Sequence, residues 1–237
     1  MDSAHAIRVS YTQRSFAAGA YDPYEPDIWP LYCQVIQQAK VIYDVGASAI
    51  GVYSLAAAVS GAHRVVAFEP APQNCIRLRE NIRLNRLKDI IRVVPNAVSD
   101  QNGTVDFYIV QNTDGLHSLA AGLYEKQQRI SVPTVSLDSF IEQSREPEPD
   151  LIKVDVEGAE VRVMRGLQQT LLKRRPVTVI IELHPQAVQQ LGDHIEEIFK
   201  IAQNSEMEVY TPGGTLANLQ ALPKHIILSR SWPPPAV

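Results

Sequence analysis

Two acids in this chain close short apolar runs, where acids are unusual. Asp44 sits in Val41-Ile42-Tyr43-Asp44-Val45, just ahead of Gly46-Ala47-Ser48-Ala49-Ile50-Gly51, and Glu69 ends Arg64-Val65-Val66-Ala67-Phe68-Glu69, ahead of Pro70. Glycines let a ligand approach the backbone, and the helix start that follows offers free N–H groups. A carboxylate before the glycines repels a pyrophosphate, as in a dinucleotide, but suits a ligand with a cationic amino group. S-adenosyl-L-methionine carries that group, and Glu69 stands where an acid hydrogen-bonds both hydroxyls of an adenosine ribose. The plain alternative is that both acids cap the helices that follow.

A second set of charges lies later in the chain. Lys153, Asp155 and Glu157 share one strand face by alternation, while Ile152, Val154 and Val156 take the other. Three charges on a central strand are costly without a pocket or partners. A Lys153 salt bridge at a wet sheet end is the competing explanation. Glu182 and His184 close another apolar run. Asp155, Glu157, Glu182 and His184 are hard ligands of the kind that hold Mg²⁺ or Ca²⁺, but their spacing fits no ligand signature, and no metal is expected.

The elements that must position these groups alternate. Strand patterns at 41–45, 64–69 and 90–94 are separated by helical patterns at 52–60 and from Pro72 to about Asn85. After the third strand, Asn102-Gly103 signals a turn between extended segments at 105–110 and 130–135, so the crossover is elaborated. Strands at 151–156 and 177–183, helices at 159–173 and 186–203, and strands at 208–211 and 225–229 complete the order. Thr211-Pro212-Gly213-Gly214 suggests that the last two strands pair antiparallel. The expected fold is α/β, a mainly parallel Rossmann-like sheet with an antiparallel last strand and helices on both faces, its ligand beyond the carboxyl strand ends.

Composition narrows the partners. With 237 residues, 45% hydrophobic and 20% charged, the chain has globular rather than disordered character. A net charge of −4 supplies no positive field to hold nucleic acid or an anionic membrane. Two cysteines, Cys33 and Cys75, are too few for a disulfide framework or a thiolate zinc site. No signal peptide and no membrane span are read from the sequence, so a cytoplasmic enzyme is expected. The expected organisation is an aromatic-rich segment at 1–39, a catalytic domain at 40–230 and a flexible tail at 231–237. Tyr11, Phe16, Tyr21, Tyr24, Trp29 and Tyr32 in the first segment could cover a pocket and stack on a sugar ring, or pack on the sheet edge. The loop Asn112 to Ser118, with His117, is a second candidate wall. Arg77, Arg79, Arg83, Arg86 and Lys88 read as a solvated basic face.

Several motifs in order resemble the FkbM-type S-adenosylmethionine-dependent methyltransferases. They are Asp44-Val45-Gly46-Ala47, Ala67-Phe68-Glu69-Pro70 with Asn74, Asn81 and Asn85, Asn96-Ala97-Val98-Ser99-Asp100, and Asp150 to Glu160. The resemblance runs from about residue 40 to 185 and implies a class I methyltransferase fold that O-methylates a sugar, glycolipid or polyketide-type metabolite. It implies that Asp44, Gly46 and Ala47 hold the methionine part of the cofactor and Glu69 the ribose, with the segment from Asn96 and Ala97 near the adenine. Ser48, Gly51, Pro70, Asn74 and Asp155 are further cofactor-binding candidates. The family pattern Asp-x-Gly-Ala-Asn-x-Gly is altered here: Ser48 replaces the Asn and one extra residue precedes Gly51, so the loop must bulge or its helix must start differently. Methylating a hydroxyl needs a base near the methyl carbon. Asp155 and His184 are the base candidates, His184 for its unperturbed pKa. Glu157 is a substrate or cofactor contact and Glu160 a cap favoured by the helix dipole. His184 could instead be a satisfied histidine before Pro185. The competing functions are a nicotinamide-dependent oxidoreductase, disfavoured by the missing Gly-x-Gly-x-x-Gly, and a non-catalytic S-adenosylmethionine- or sugar-binding module.

Overall fold

The β-branched runs form strands buried on both faces. A computed structural model describes residues 25–110, 117–123 and 127–232. In order these residues form α1 (Trp29–Val35), β1 (Val41–Val45), α2 (Val52–Val59), β2 (Arg64–Phe68), α3 (Pro72–Leu84), β3 (Ile91–Val94), β4 (Ala97–Val98), β5 (Gly103–Val110), β6 (Gln127–Val135) and α4 (Leu137–Gln143). They continue with β7 (Leu151–Val154), α5 (Glu160–Arg165), α6 (Gln168–Leu172), β8 (Thr178–Glu182), α7 (Pro185–Gln190), α8 (Glu196–Asn204), β9 (Glu208–Tyr210) and β10 (His225–Ser229).

Seven strands make one sheet in the order β3-β2-β1-β7-β8-β10-β9. From β3 to β8 neighbouring strands run parallel, and β10 is antiparallel to both β8 and β9. The expected sheet, with its antiparallel last strand, is the one formed. The order turns back between β1 and β7, where open α/β sheets leave a crevice for a ligand. The elaborated crossover is a separate small sheet in which β6 pairs parallel with β4 and antiparallel with β5.

Alternation on the central strands divides the core in two. Tyr43, Phe68, Val154 and Ile181 face Leu137, Phe140, Met164 and Ile198, while Ile42, Val65, Leu151 and Ile180 face Tyr32, Leu55, Ala57 and Leu78. A parallel strand covered on both faces reads as a continuous apolar run for this reason.

Two helices expected to be continuous are broken. The run at 159–173 divides at Gly166, whose carbonyl accepts the Asp138 N–H at 2.8 Å. The Asp138 carboxylate accepts the N–H groups of Gln169 and Thr170 at 2.9 and 2.8 Å and so starts α6 afresh. The run at 186–203 divides at Gly192, with φ +76°, and Asp193 there pairs with Arg162 and Arg165 at 2.7 Å each.

Trp29 and Tyr32 pack with the core layer over the central strands rather than on the sheet edge. Tyr32 is fully buried, its ring 4.6 Å from that of Tyr53 and 6.0 Å from that of Trp29. Tyr11, Phe16, Tyr21, Tyr24, the loop residues 112–116 and the tail 233–237 lie outside the described residues. The basic residues Arg77, Arg79, Arg83, Arg86 and Lys88 are exposed. No helix among the described residues is long and apolar enough to cross a membrane.

Candidate active site

The chain leaves β1 through a turn that only glycine permits. Gly46 has φ +90°, and a Cβ there would lie 1.7 Å from the Asp155 carbonyl oxygen. The N–H groups of Gly46 and Ala47 both donate to the Phe68 carbonyl at 3.0 Å, tying the turn to the end of β2. The extra residue is absorbed by a bulge: Ser48 adopts φ +61° and donates its N–H to Glu69 Oε2 at 2.9 Å. From α3, Asn81 Nδ2 donates to the Ala49 and Ile50 carbonyls at 3.2 Å each. Gly51, with φ +70°, starts α2 and packs against Leu78.

Glu69 is buried, its Oε1 accepting the Ala71 N–H at 2.8 Å and facing Asn74 Nδ2 at 3.4 Å. Burial raises its pKa to about 7 against the pull of these hydrogen bonds. Asp44 is buried as well and accepts the Ser54 hydroxyl at 2.5 Å. Burial pushes its pKa to about 6, with Ser54 and Lys153 opposing.

At the far side of the crevice, β7 ends at Val154 and Asp155 donates its N–H to the Val45 carbonyl at 2.9 Å. Beyond the strand end Glu157 takes φ +51°. Asp155 and Glu157 both reach the pocket, whereas Lys153 does not line it. Lys153 is fully buried, its Nζ 4.9 Å above the Tyr53 ring and 3.9 Å from carboxylate oxygens of Asp155 and Glu182. The salt bridge considered from sequence is thus present, with Lys153 itself buried and Asp155 partly exposed on the pocket wall.

His184 sits at the N-cap of α7 among three acids. Its Nδ1 lies 2.8 Å from Glu160 Oε1, and its Nε2 lies 3.4 Å from Glu182 Oε1 and 3.5 Å from Glu157 Oε2. Burial alone would lower its pKa, but hydrogen bonds with Glu160 and Glu182 and the nearby negative charge push it up to about 10. Glu160 is fully buried and accepts the Gly158 N–H at 2.9 Å, so it joins a helix-start bond to a contact with His184. Glu182 is held well below the usual carboxylate range: burial would raise it, but His184, His225 and Lys153 prevail.

One pocket of about 230 Å³ opens between these groups. Of the residues expected from sequence, Gly46, Ser48, Glu69, Pro70, Asn74, Asn96, Ala97, Asp155 and Glu157 line it, whereas Asp44, Ala47, Gly51 and His184 stand behind the wall. Glu25, Phe107, His117 and Glu182 line it too. Glu25 carried no signal in the sequence; it is placed by the Tyr53 hydroxyl, which donates to it, and by Lys224 Nζ at 3.5 Å and His225 Nε2 at 3.7 Å. His225, fully buried, is oriented by Asp27 at 2.7 Å from its Nδ1. Asp155, Glu157 and His184 each have a ligand atom within 4.8 Å of the others', as do Glu25, Glu182 and His225.

A parallel sheet with its crevice between β1 and β7, a glycine turn there and acids on the flanking strands is the class I methyltransferase arrangement. The chain matches the methyltransferase FkbM domain over residues 44–206 and belongs to that family. Hexuronic acid methyltransferase AglP of Haloferax volcanii is 30% identical over 163 residues, which are 68% of this chain and 62% of that protein. 2-O-methyltransferase NoeI of Sinorhizobium fredii is 34% identical over 124 residues, 46% of this chain and 49% of that protein. The matched region thus spans between about half and two thirds of these relatives. In fold, the chain is similar to the methyltransferase FkbM from Methylobacillus flagellatus KT, with TM-score 0.52 and 17% identity over 81% of this chain and 43% of that one. A putative O-methyltransferase from Klebsiella pneumoniae gives TM-score 0.52 and 13% identity over 89% and 82%.

Proposed function

We propose that the protein is an S-adenosyl-L-methionine-dependent O-methyltransferase acting on a hydroxyl of a sugar or sugar-bearing metabolite. The observation that carries this reading is one pocket with buried Glu69 at one end and Asp155 and Glu157 at the other. The residues fit the cofactor: Gly46 and Ser48 put the glycine turn on the pocket wall, and Glu69 offers a buried carboxylate to a diol. Glu69 and Asn74 would hold the ribose, Asn96 and Ala97 the adenine edge, and the Gly46–Ser48 turn with Asp155 the methionine part. Bound there, the cofactor supplies a methyl group on a sulfonium, which departs as a neutral thioether.

The remaining work belongs to this chain: align the acceptor oxygen and take its proton. As the acceptor oxygen takes the methyl group, its hydroxyl proton would pass to a carboxylate of this chain. Asp155 and Glu157 are the candidates on the pocket wall. His184, a base candidate from sequence, is already protonated at neutral pH when its pKa is about 10, and it stands behind Glu157. Its role in this reading is to hold Glu157 in place. A nicotinamide cofactor fits less well, since Asp44 and Asp155 flank the turn where a pyrophosphate would lie.

The test is calorimetric titration with S-adenosylhomocysteine and NAD, followed by single-turnover methyl transfer in Asp155→Asn and Glu157→Gln. Binding of S-adenosylhomocysteine but not NAD is expected, with loss of transfer in at least one variant that still binds the product. NAD binding alone, or full transfer in both variants, overturns the reading.

A further inference from the structure

We propose that the acceptor carries no negative charge, so that the pocket takes a neutral or aminated sugar and turns away a hexuronate. This rests on the sugar-hydroxyl reading above. The wall away from Glu69 presents Glu25, Asp155, Glu157 and Glu182. The cations that offset them lie behind or beside that wall: Lys153 and His225 are fully buried, and His184 is held by Glu160 at 2.8 Å. Lys224 Nζ is committed to Glu182 at 2.7 Å and Glu25 at 3.5 Å. His117, also on the pocket wall, accepts the Val110 N–H at Nδ1 at 3.2 Å. Among the described residues, no Lys or Arg lines the pocket.

A guest carboxylate entering this space sheds hydration and meets like charge, and among the described residues the nearby cations are already paired with the lining acids, a combination that disfavours binding. Sugar hydroxyls or an ammonium group meet carboxylate acceptors instead. The specificity therefore differs from that named for the hexuronic acid methyltransferase relative.

The experiment uses the full chain with three probes, the methyl glycosides of glucose, glucosamine and glucuronic acid. Saturation-transfer NMR in the presence of S-adenosylhomocysteine reads binding, and mass spectrometry with S-adenosyl-L-methionine reads transfer. The glucuronide is expected to bind roughly tenfold or more weakly than the better of the other two, and Glu25→Gln and raised salt are each expected to narrow that gap. Glucuronide binding equal to or tighter than both others overturns the proposal, as does a gap that neither change narrows. Absence of binding and transfer with all three, while S-adenosylhomocysteine still binds, instead overturns the sugar-acceptor reading on which the proposal rests.

Discussion

Glu69 Oε2 accepts the Ser48 N–H at 2.9 Å, so the acid that would grip the ribose also anchors the residue that stands in the glycine turn in place of the Asn of the family pattern. The bulge is not a loose insertion. Its left-handed residue is tied to the end of β2, and its next two carbonyls are tied to Asn81 on α3.

Glu69→Gln is expected to weaken S-adenosylhomocysteine binding by roughly tenfold or more, the worth of a charge-assisted hydrogen bond, as read by calorimetry. Its effect on the unliganded protein runs the other way with pH. A pKa raised by folding to about 7 means that the native state loses stability as pH rises from the ordinary carboxylate range towards 7. The variant lacks this titration, so its melting temperature should gain on that of the parent across that window. Parallel pH profiles for the two proteins would show that the Glu69 carboxyl is not perturbed by burial.

Gly46→Ala places a methyl group 1.7 Å from the Asp155 carbonyl oxygen and a side chain at φ +90°. The backbone strain alone costs about 1–3 kcal/mol. A lower melting temperature and loss of S-adenosylhomocysteine binding are expected together. Retained affinity in the variant would show that the turn does not border the cofactor.

His184→Ala leaves buried Glu160 without its cationic partner, a loss of about 3–5 kcal/mol for a broken buried pair. The histidine pKa is raised by folding, so its contribution is complete below the unfolded value near 6.5 and disappears as pH rises to about 10. Denaturation of parent and variant across this range should show a stability gap that shrinks with increasing pH. The His184 ring should also show no NMR titration between pH 6 and 8. A midpoint near 6.5 would return the residue to the base candidates.

Chelation is expected to leave methyl transfer unchanged, even though ligand atoms of Asp155, Glu157 and His184 lie within 4.8 Å of one another. A protonated His184 offers no lone pair to an ion. Loss of rate with EDTA and its recovery with Mg²⁺ would contradict this.

The order of strands and the family membership were legible because both are local. Runs such as Val41–Val45 and Leu151–Val154 are apolar throughout, and a buried parallel strand has no other way to be written. The glycine turn and the acids at strand ends are contiguous with those runs, so Gly46, Glu69, Asp155 and Glu157 could be placed on one edge of the sheet. Helix breaks were less legible. Gly166 is an ordinary helix position until Asp138, distant in sequence, takes its carbonyl and caps the next turn.

The sequence by itself determined the sheet and the edge of it that carries Gly46, Glu69 and Asp155, since each follows from a short motif beside its own strand. Tertiary structure alone decided the rest of the pocket wall. Glu25 enters from before α1, Glu182 from β8 and His117 from beside the small sheet, and no local pattern links them. The charge of His184 likewise depends on Glu157 and Glu160, around the start of α5 and brought to it only by folding, together with Glu182 two residues before it. A side chain's charge in a buried site depends on its neighbours in space, and those neighbours are set only when the chain has folded.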